Sequence, residues 1–172
     1  LMPDSVPPDR VTAELGTTIS ISPAVARDDG SVWMLKPHDL LVAGLRIAPA
    51  SAAPSSPGML CLLDSAAFGT GLHPTTALCL EVIADAMRGS DAPGGLLDVG
   101  TGSGILALAA LMCGASRAVG VDVDAEAVRI AEENARLNGL DDRFQAVHGG
   151  VDSAPGSWPL VVANILAAPL IE

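Results

Sequence analysis

The fold of this chain is decided by Leu96-Leu97-Asp98-Val99-Gly100-Thr101-Gly102-Ser103-Gly104-Ile105. This stretch passes from an apolar run through an aspartate into a glycine-rich turn that opens a helix. Glycines suit such a turn because they adopt positive φ and let a ligand approach the backbone N–H groups closely. Asp122 follows 24 residues after Asp98, at the end of a second apolar run. The spacing predicts a βαβ unit whose second strand presents a carboxylate to ribose hydroxyls.

The glycine-rich turn is compatible with more than one ligand class. A nicotinamide or flavin dinucleotide requires G-x-G-x-x-G, but Ile105 stands where the third glycine belongs, and Asp98 would repel a pyrophosphate. S-Adenosylmethionine has a cationic amino-acid end and no phosphate. Asp98 would hold its ammonium group, directly or through water, and Asp122 its ribose. We therefore predict a site for S-adenosylmethionine, and the alternative is a packing turn with no ligand. The contacts predicted on this stretch and the next strand are Asp98, Gly100, Gly102 and Asp122.

Composition limits the class of protein. The 172 residues suffice for a domain with a hydrophobic core, since 49% are hydrophobic and 17% charged. The net charge of −11, with nine Lys and Arg residues, disfavours nucleic acid and favours a basic protein as partner. Cys61, Cys79 and Cys113 form no C-x-x-C pair, so we expect inert thiols and no metal site. Without a signal peptide or a long apolar run, the sequence predicts a cytoplasmic protein that does not bind membranes.

The first third of the chain carries no identifiable chemistry. Residues 17–22, 33–35 and 44–48 are candidate strands. Residues 49–57 contain three prolines and three serines, a composition typical of a flexible connection. We therefore predict an N-terminal extended or β segment with a linker over residues 1–57, and a cofactor-binding domain over residues 58–172.

A loop that begins at Phe68 joins a candidate buried strand at residues 59–64 to a helix predicted at about residues 75–87. A proline followed by two threonines predicts a helix start, because a threonine hydroxyl can cap exposed N–H groups. Thr76 is therefore either a cap or a ligand contact, and the residues alone leave both readings open. The apolar face of this helix is predicted to consist of Leu78, Val82, Ala86 and Ile83.

The remaining elements follow from periodicity and turn residues. Residues 103–113 are apolar nearly all round, as expected of a helix buried beside a parallel sheet. Asp124 is predicted to cap a helix over residues 125–138, and strands are predicted at residues 144–148 and 161–163. Asn164 then lies at the carboxyl end of the last strand, where open α/β sheets bind ligands. It would accept a hydrogen bond from a target amine, contact the methionine end of the cofactor, or cap the next helix.

Five segments of the chain match the sequence motifs of one protein family. The most specific of these segments runs from Ala67 to Glu81 and begins Ala67-Phe68-Gly69-Thr70-Gly71-Leu72-His73-Pro74-Thr75-Thr76. The others are residues 98–106, 122–124, 133–139 and 163–170. Together they resemble the PrmA family, the bacterial ribosomal-protein (large subunit, protein eleven) methyltransferases. The resemblance covers about residues 59–172. It implies cofactor contacts by Thr76, Gly100, Asp122 and Asn164, and Thr101 stands where the family commonly has cysteine.

The expected fold is therefore α/β: a Rossmann-like S-adenosylmethionine-dependent methyltransferase sheet, truncated after the fourth core strand, with a small β-rich N-terminal segment. The resemblance implies methyl transfer to an amine nitrogen of a ribosomal protein, on a lysine side chain or the N-terminal amine. The alternative is a methyltransferase-like module that binds a cofactor or partner without turnover. Transfer from a sulfonium releases a neutral thioether and needs little acid–base assistance, so no catalytic residue is assigned.

Overall fold

Two β-sheets occupy the part of the chain that the computed structural model describes, residues 40–52, 58–63 and 73–165. All of these residues belong to a compact unit, Leu35–Glu172. The candidate strands at residues 17–22 and 33–35 lie outside the described residues, as does most of the loop that begins at Phe68.

The smaller sheet has the order β1-β2-β3, with β1 at Leu40–Val42, β2 at Leu45–Pro49 and β3 at Met59–Leu62. β1 and β2 pair antiparallel, and β2 and β3 pair in parallel. The strands predicted near residues 44–48 and 59–64 are therefore present. Because β2 and β3 pair, residues on the two sides of the predicted boundary after residue 57 share one sheet. The division into two domains at that boundary stays a prediction.

The larger sheet is parallel throughout and has the order β6-β5-β4-β7. Its strands are β4 (Gly95–Val99), β5 (Arg117–Asp122), β6 (Phe144–His148) and β7 (Leu160–Ala163). The chain proceeds outward from β4 to β6 and then returns to the other side of β4. The carboxyl ends of β4, β5 and β7 consequently meet at a topological switch point, where sheets of this kind bind ligands. The predicted Rossmann-like α/β sheet is confirmed.

Three helices pack with the sheets: α1 (Pro74–Ala86), α2 (Ile105–Met112) and α3 (Ala125–Leu137). α2 joins β4 to β5 and is buried along its whole length except at Met112, as its uniform apolarity predicts. α3 joins β5 to β6 and is amphipathic. The side chain of Asp124 caps α3 by accepting a hydrogen bond from the Glu126 N–H at 2.9 Å, which confirms the predicted cap.

Two expectations for α1 need correction, although Ile83 is buried as predicted. The buried face of α1 consists of Thr76, Leu80, Ile83 and Ala84, whereas Leu78 and Val82 are 60% and 62% exposed. The helix is apolar on more than one side, so apolar periodicity alone does not identify the buried face. The cap is His73, whose Nδ1 accepts a hydrogen bond from the Thr75 N–H, and not a threonine hydroxyl.

The main hydrophobic core lies between the helices and the two sheets, and its side chains are aliphatic apart from Phe144. Cys61 is buried in this region, while Cys79 and Cys113 are half-buried. Burial raises the pKa of both half-buried thiols, which agrees with unreactive thiols. Within the described part of the chain, no helix combines the length and apolarity needed to cross a membrane.

Candidate functional site

A cavity of about 830 Å³ opens at the carboxyl ends of β4, β5 and β7. This volume is within the range of roughly 300–1,000 Å³ that is typical of small-molecule and cofactor sites. Its walls come from the glycine-rich turn after β4, from the ends of β5, β6 and β7, and from the start of α1. The lining residues include Gly100, Gly102, Asp122, Val123, Val151 and Asn164.

The glycine-rich turn is fixed to the end of β5 by backbone hydrogen bonds. The N–H groups of Gly100 and Thr101 both donate to the Val121 carbonyl, at 2.9 and 3.0 Å. Gly100 has φ +74°, and a Cβ atom there would lie 2.2 Å from Cγ2 of Ile165, which packs over the turn. Only glycine satisfies both the left-handed backbone and the contact with Ile165. The turn thus exposes main chain, rather than side chains, to the cavity.

Asp122 lies at the end of β5, on the cavity wall, as predicted. Its Oδ2 accepts a hydrogen bond from the Gly102 N–H at 2.9 Å, and its Oδ1 accepts one from the Asp124 N–H at 3.0 Å. The side chain is half-buried and is not turned into the packed interior. An ionised carboxylate has about four acceptor positions, so two are left for hydroxyl groups of a ligand.

Asp98 is 1% exposed and does not line the cavity, although the adjacent Val99 does. Side chains alternate along β4, so Asp98 projects toward the sheet face that α1 and α2 cover. Its Oδ2 accepts a hydrogen bond from Thr101 Oγ1 at 2.8 Å, while Oδ1 has no hydrogen-bond partner among the described residues. Burial raises the pKa of Asp98 to about 7. The Thr101 hydroxyl and the Ala107 amide act in the opposite direction, and Asp122 raises the pKa further.

Asn164 follows β7 and lines the cavity at its edge. Its Nδ2 donates a hydrogen bond to Oγ1 of Thr76 at 3.2 Å. Thr76 is fully buried at the start of α1, so this bond links two elements that are 88 residues apart in sequence. Because Nδ2 faces Thr76, the amide oxygen of Asn164 is the atom available to accept a hydrogen bond from a ligand.

The structure brings four of the six predicted site residues to the cavity wall: Gly100, Gly102, Asp122 and Asn164. The other two, Thr76 and Asp98, lie in the interior and touch residues close to the wall. The assignment of all six as cofactor contacts stays a prediction.

Sequence reasoning missed two aliphatic side chains at the cavity. Val123 is 79% exposed and follows Asp122 directly, and Val151 is 55% exposed after β6. Both line the cavity. Nε2 of His148 lies 3.0 Å from the Val123 carbonyl and fixes the backbone at that position. The sequence offered one signal for Val123: it is an apolar residue between Asp122, which ends β5, and Asp124, which caps α3.

Comparison with known proteins finds similar proteins that are named ribosomal protein L11 methyltransferase. The ribosomal protein L11 methyltransferase of Geobacter sp. (strain M21) is 49% identical over 109 residues, which are 62% of this chain and 36% of that protein. The enzyme of the same name from Azotobacter vinelandii (strain DJ / ATCC BAA-1303) is 48% identical over 122 residues, 70% of this chain and 40% of that protein. The chain thus spans well under half the length of these curated relatives.

A solved structure and a family model agree with these relatives. The crystal structure of ribosomal protein L11 methylase from Lactobacillus delbrueckii subsp. bulgaricus matches with a TM-score of 0.67 and 36% sequence identity, over 77% of this chain and 69% of that one. The model of the family described as ribosomal protein L11 methyltransferase (PrmA) matches residues 42–172, well over half of the chain. The chain therefore belongs to the ribosomal protein L11 methyltransferase family.

Proposed function

We propose that the protein containing this chain is an S-adenosylmethionine-dependent methyltransferase that methylates an amine nitrogen of a ribosomal protein, on a lysine side chain or the N-terminal amine. One observation carries the proposal. The glycine-rich turn, the Asp122 carboxylate and the Asn164 amide surround a single cavity at the switch point of the sheet, in a chain of the L11 methyltransferase family.

The residues present fit the cofactor in three respects. Gly100 and Gly102 present main chain without side chains to the cavity, so a ligand can lie against the backbone. Asp122 retains acceptor positions for ribose hydroxyls. Oδ1 of Asp98 is a buried acceptor without a partner in the described residues, which an ammonium group would satisfy, directly or through a water molecule.

The same geometry argues against a dinucleotide. Asp98 and Asp122 place two carboxyl groups beside one glycine-rich turn, where the charge of a pyrophosphate would be repelled. The glycine at position 104 serves packing: a Cβ atom there would lie 3.2 Å from Cβ of Ala131 on α3. Close packing of helix and turn explains this glycine without any phosphate.

S-Adenosylmethionine supplies an electrophilic methyl group on a sulfonium when it is bound. The protein must then place a neutral amine in line with that group, since orientation is the main contribution that such a reaction needs. The amide oxygen of Asn164 would accept a hydrogen bond from the target N–H and direct the nitrogen lone pair. A lysine amine must first lose its proton, which desolvation beside a cation favours. None of the described side chains is assigned as a general base.

The substrate class follows from charge as well as family. The chain carries a net charge of −11, which attracts a basic protein and repels nucleic acid. A ribosomal protein, L11 by the family's name, is the substrate we propose. Its methylation would take place in the cytoplasm, with no direct contact to nucleic acid or to a membrane.

Calorimetric titration of the intact protein tests the binding part of the proposal. S-Adenosylmethionine and its demethylated product should both bind, while oxidised nicotinamide dinucleotide should not. Binding of the dinucleotide alone would overturn the proposal. Tight binding of the product without methyl incorporation into L11 would instead support a module that binds the cofactor without turnover.

Methyl incorporation into purified L11, followed by mass spectrometry, tests the catalytic part. Asn164→Ala should lower the rate on the order of a hundredfold, because the amine loses the acceptor that orients it. Gln145→Ala is the matched control, since it removes an amide from an exposed position on β6. Equal rates for the two variants would remove Asn164 from the proposed mechanism.

A further inference from the structure

Asp98 and Thr101 form a polar pair inside the protein. The two residues are 1% and 4% exposed. Thr101 Oγ1 donates to Oδ2 of Asp98 at 2.8 Å, and Oδ1 has no hydrogen-bond partner in the described part of the chain. A buried acceptor that lacks a partner costs free energy, so a carboxyl group in this position calls for a ligand or another compensation.

The backbone of Thr101 is fixed in the fold, and this fixes the position of its side chain. Its N–H donates to the Val121 carbonyl at 3.0 Å, and its own carbonyl accepts from the Gly104 N–H at 2.8 Å. Gly120 is the register partner of Asp98 across β4 and β5. A Cβ atom on Gly120 would lie 2.5 Å from Thr101 Oγ1. The absence of a side chain at position 120 therefore gives the Thr101 hydroxyl the space from which it reaches Asp98.

We propose that Thr101 is a positioning residue for the cationic end of the cofactor: by donating to Oδ2 of Asp98, its hydroxyl holds the carboxyl group so that Oδ1 is the acceptor for the ammonium group. The inference rests on the proposed function, because it assigns a cation to the acceptor that lacks a partner. Thr101 acts through Asp98 and does not touch the ligand.

The charges around Asp98 determine how the effect depends on pH. Asp98 has two titratable neighbours. Asp122, at the end of β5, adds to the effect of burial and raises the pKa of Asp98. Cys79, on α1, has its own pKa raised by Asp98. Two uncharged groups lower the pKa of Asp98: the Thr101 hydroxyl, which donates to Oδ2, and the Ala107 amide on α2. The hydroxyl thus favours the ionised carboxyl group, the form that binds a cation.

The test compares Thr101→Val, which removes the hydroxyl and keeps the shape, with Thr101→Ser, which keeps the hydroxyl. Calorimetry with S-adenosylhomocysteine on the intact protein gives the ratio of dissociation constants, variant to wild type, at each pH. The titration of the ligand itself cancels in this ratio. We expect a ratio of about 5 for Thr101→Val at pH 7. The ratio should become smaller as the pH rises, because the variant carboxyl group ionises at higher pH, and it should stay above 1 because the carboxyl group is still not oriented. Thr101→Ser should stay within about twofold of wild type.

A second ligand separates positioning from damage to the fold. 5′-Methylthioadenosine contains the adenosine part without the amino acid, so Thr101→Val should bind it as the wild type does. Equal weakening for both ligands would show a structural role and overturn the inference. A wild-type protein that binds 5′-methylthioadenosine but gains no affinity from the amino-acid end would also overturn it, with the proposed cofactor site intact. Failure to bind either ligand would overturn the proposed function itself.

Discussion

The backbone N–H of Gly102 donates a hydrogen bond to the Asp122 carboxylate at 2.9 Å, across 20 residues of sequence. This contact joins the glycine-rich turn after β4 to the end of β5. The turn and the acidic strand end therefore form one unit, held by two of the residues that we propose bind the ligand. A change at Asp122 should affect both the ligand and the turn.

Asp122→Ala should weaken binding of S-adenosylmethionine by about 1–3 kcal/mol, because charge-assisted hydrogen bonds to the ribose are lost. Asp124→Ala is the matched control. It removes the cap of α3 and should lower the free energy of unfolding by about 1 kcal/mol with little effect on affinity. Calorimetry and urea unfolding measure the two effects. Unchanged affinity in Asp122→Ala would contradict the assignment of this residue.

The position of Asp122 was predictable from sequence, and the position of Asp98 was predictable only in part. An apolar run that ends in an acidic residue predicts a strand end, and β5 confirms this for Asp122. Asp98 lies one residue inside β4, so alternation along the strand directs its side chain into the interior and not into the cavity. Its burial depends on α1 and α2 covering that sheet face, which is a tertiary contact that a local pattern does not contain.

Thr76→Val should lower the rate of L11 methylation while leaving the fold intact. The hydroxyl that accepts the hydrogen bond from Asn164 Nδ2 disappears, so the amide is free to rotate and present the wrong atom to the amine. We expect a loss of roughly tenfold in kcat, in line with the removal of one orienting hydrogen bond. Thr76→Ser should retain most of the rate. If the valine and serine variants are equally slow, the role of the hydroxyl is excluded.

Asp98→Asn should change how stability depends on pH. The pKa of Asp98 is raised from 3.8 to about 7, so the folded protein binds more protons than the unfolded chain between those values. The free energy of unfolding of the wild type should therefore fall as pH rises through this window and level off above about pH 7. The difference amounts to roughly 4 kcal/mol at most, from 1.36 kcal/mol per pKa unit.

In Asp98→Asn this contribution is absent, so the variant should be more stable than wild type above pH 7 and nearly equal to it near pH 4. At and above about pH 7 it should also bind S-adenosylmethionine more weakly than wild type, since it has no carboxylate for the ammonium group. Urea unfolding across the pH range measures the first effect, and calorimetry measures the second. Parallel stability curves for the two proteins would contradict a raised pKa at Asp98.

Gly100→Ala should destabilise the protein. The left-handed backbone at φ +74° costs an alanine about 1–2 kcal/mol, and its Cβ would collide with Ile165. The double variant with Ile165→Ala removes the collision but keeps the backbone strain, so it should recover only part of the stability. Thermal unfolding of the two variants and of Ile165→Ala alone separates these terms. Full recovery in the double variant would show that backbone strain contributes nothing.

The attachment of α3 to β3 was not predictable, because it depends on two asparagine side chains that contact distant backbone. Asn138 hydrogen-bonds both the N–H and the carbonyl of Cys61, at 2.8 and 2.7 Å. Asn134 accepts from the Leu63 N–H and donates to the Ser103 carbonyl, each at 2.8 Å. The two side chains stand in for a neighbouring strand along the edge of β3. A helix pattern predicts which face is buried, but it does not show that polar side chains on that face serve a sheet edge.

Asn134→Leu should therefore lower the free energy of unfolding by more than the similar size of the two side chains suggests. Asn134 is fully buried, and its removal leaves the Leu63 N–H and the Ser103 carbonyl without this partner. We expect a loss of about 2–6 kcal/mol in the free energy of unfolding, at about 1–3 kcal/mol for each of the two backbone groups that lose this hydrogen bond. Arg136→Ala, on the exposed side of the same helix, should change stability by less than about 0.5 kcal/mol although it breaks the ion pair with Glu132. If urea unfolding gives the two variants similar stability, the asparagine contacts do not hold β3 to α3.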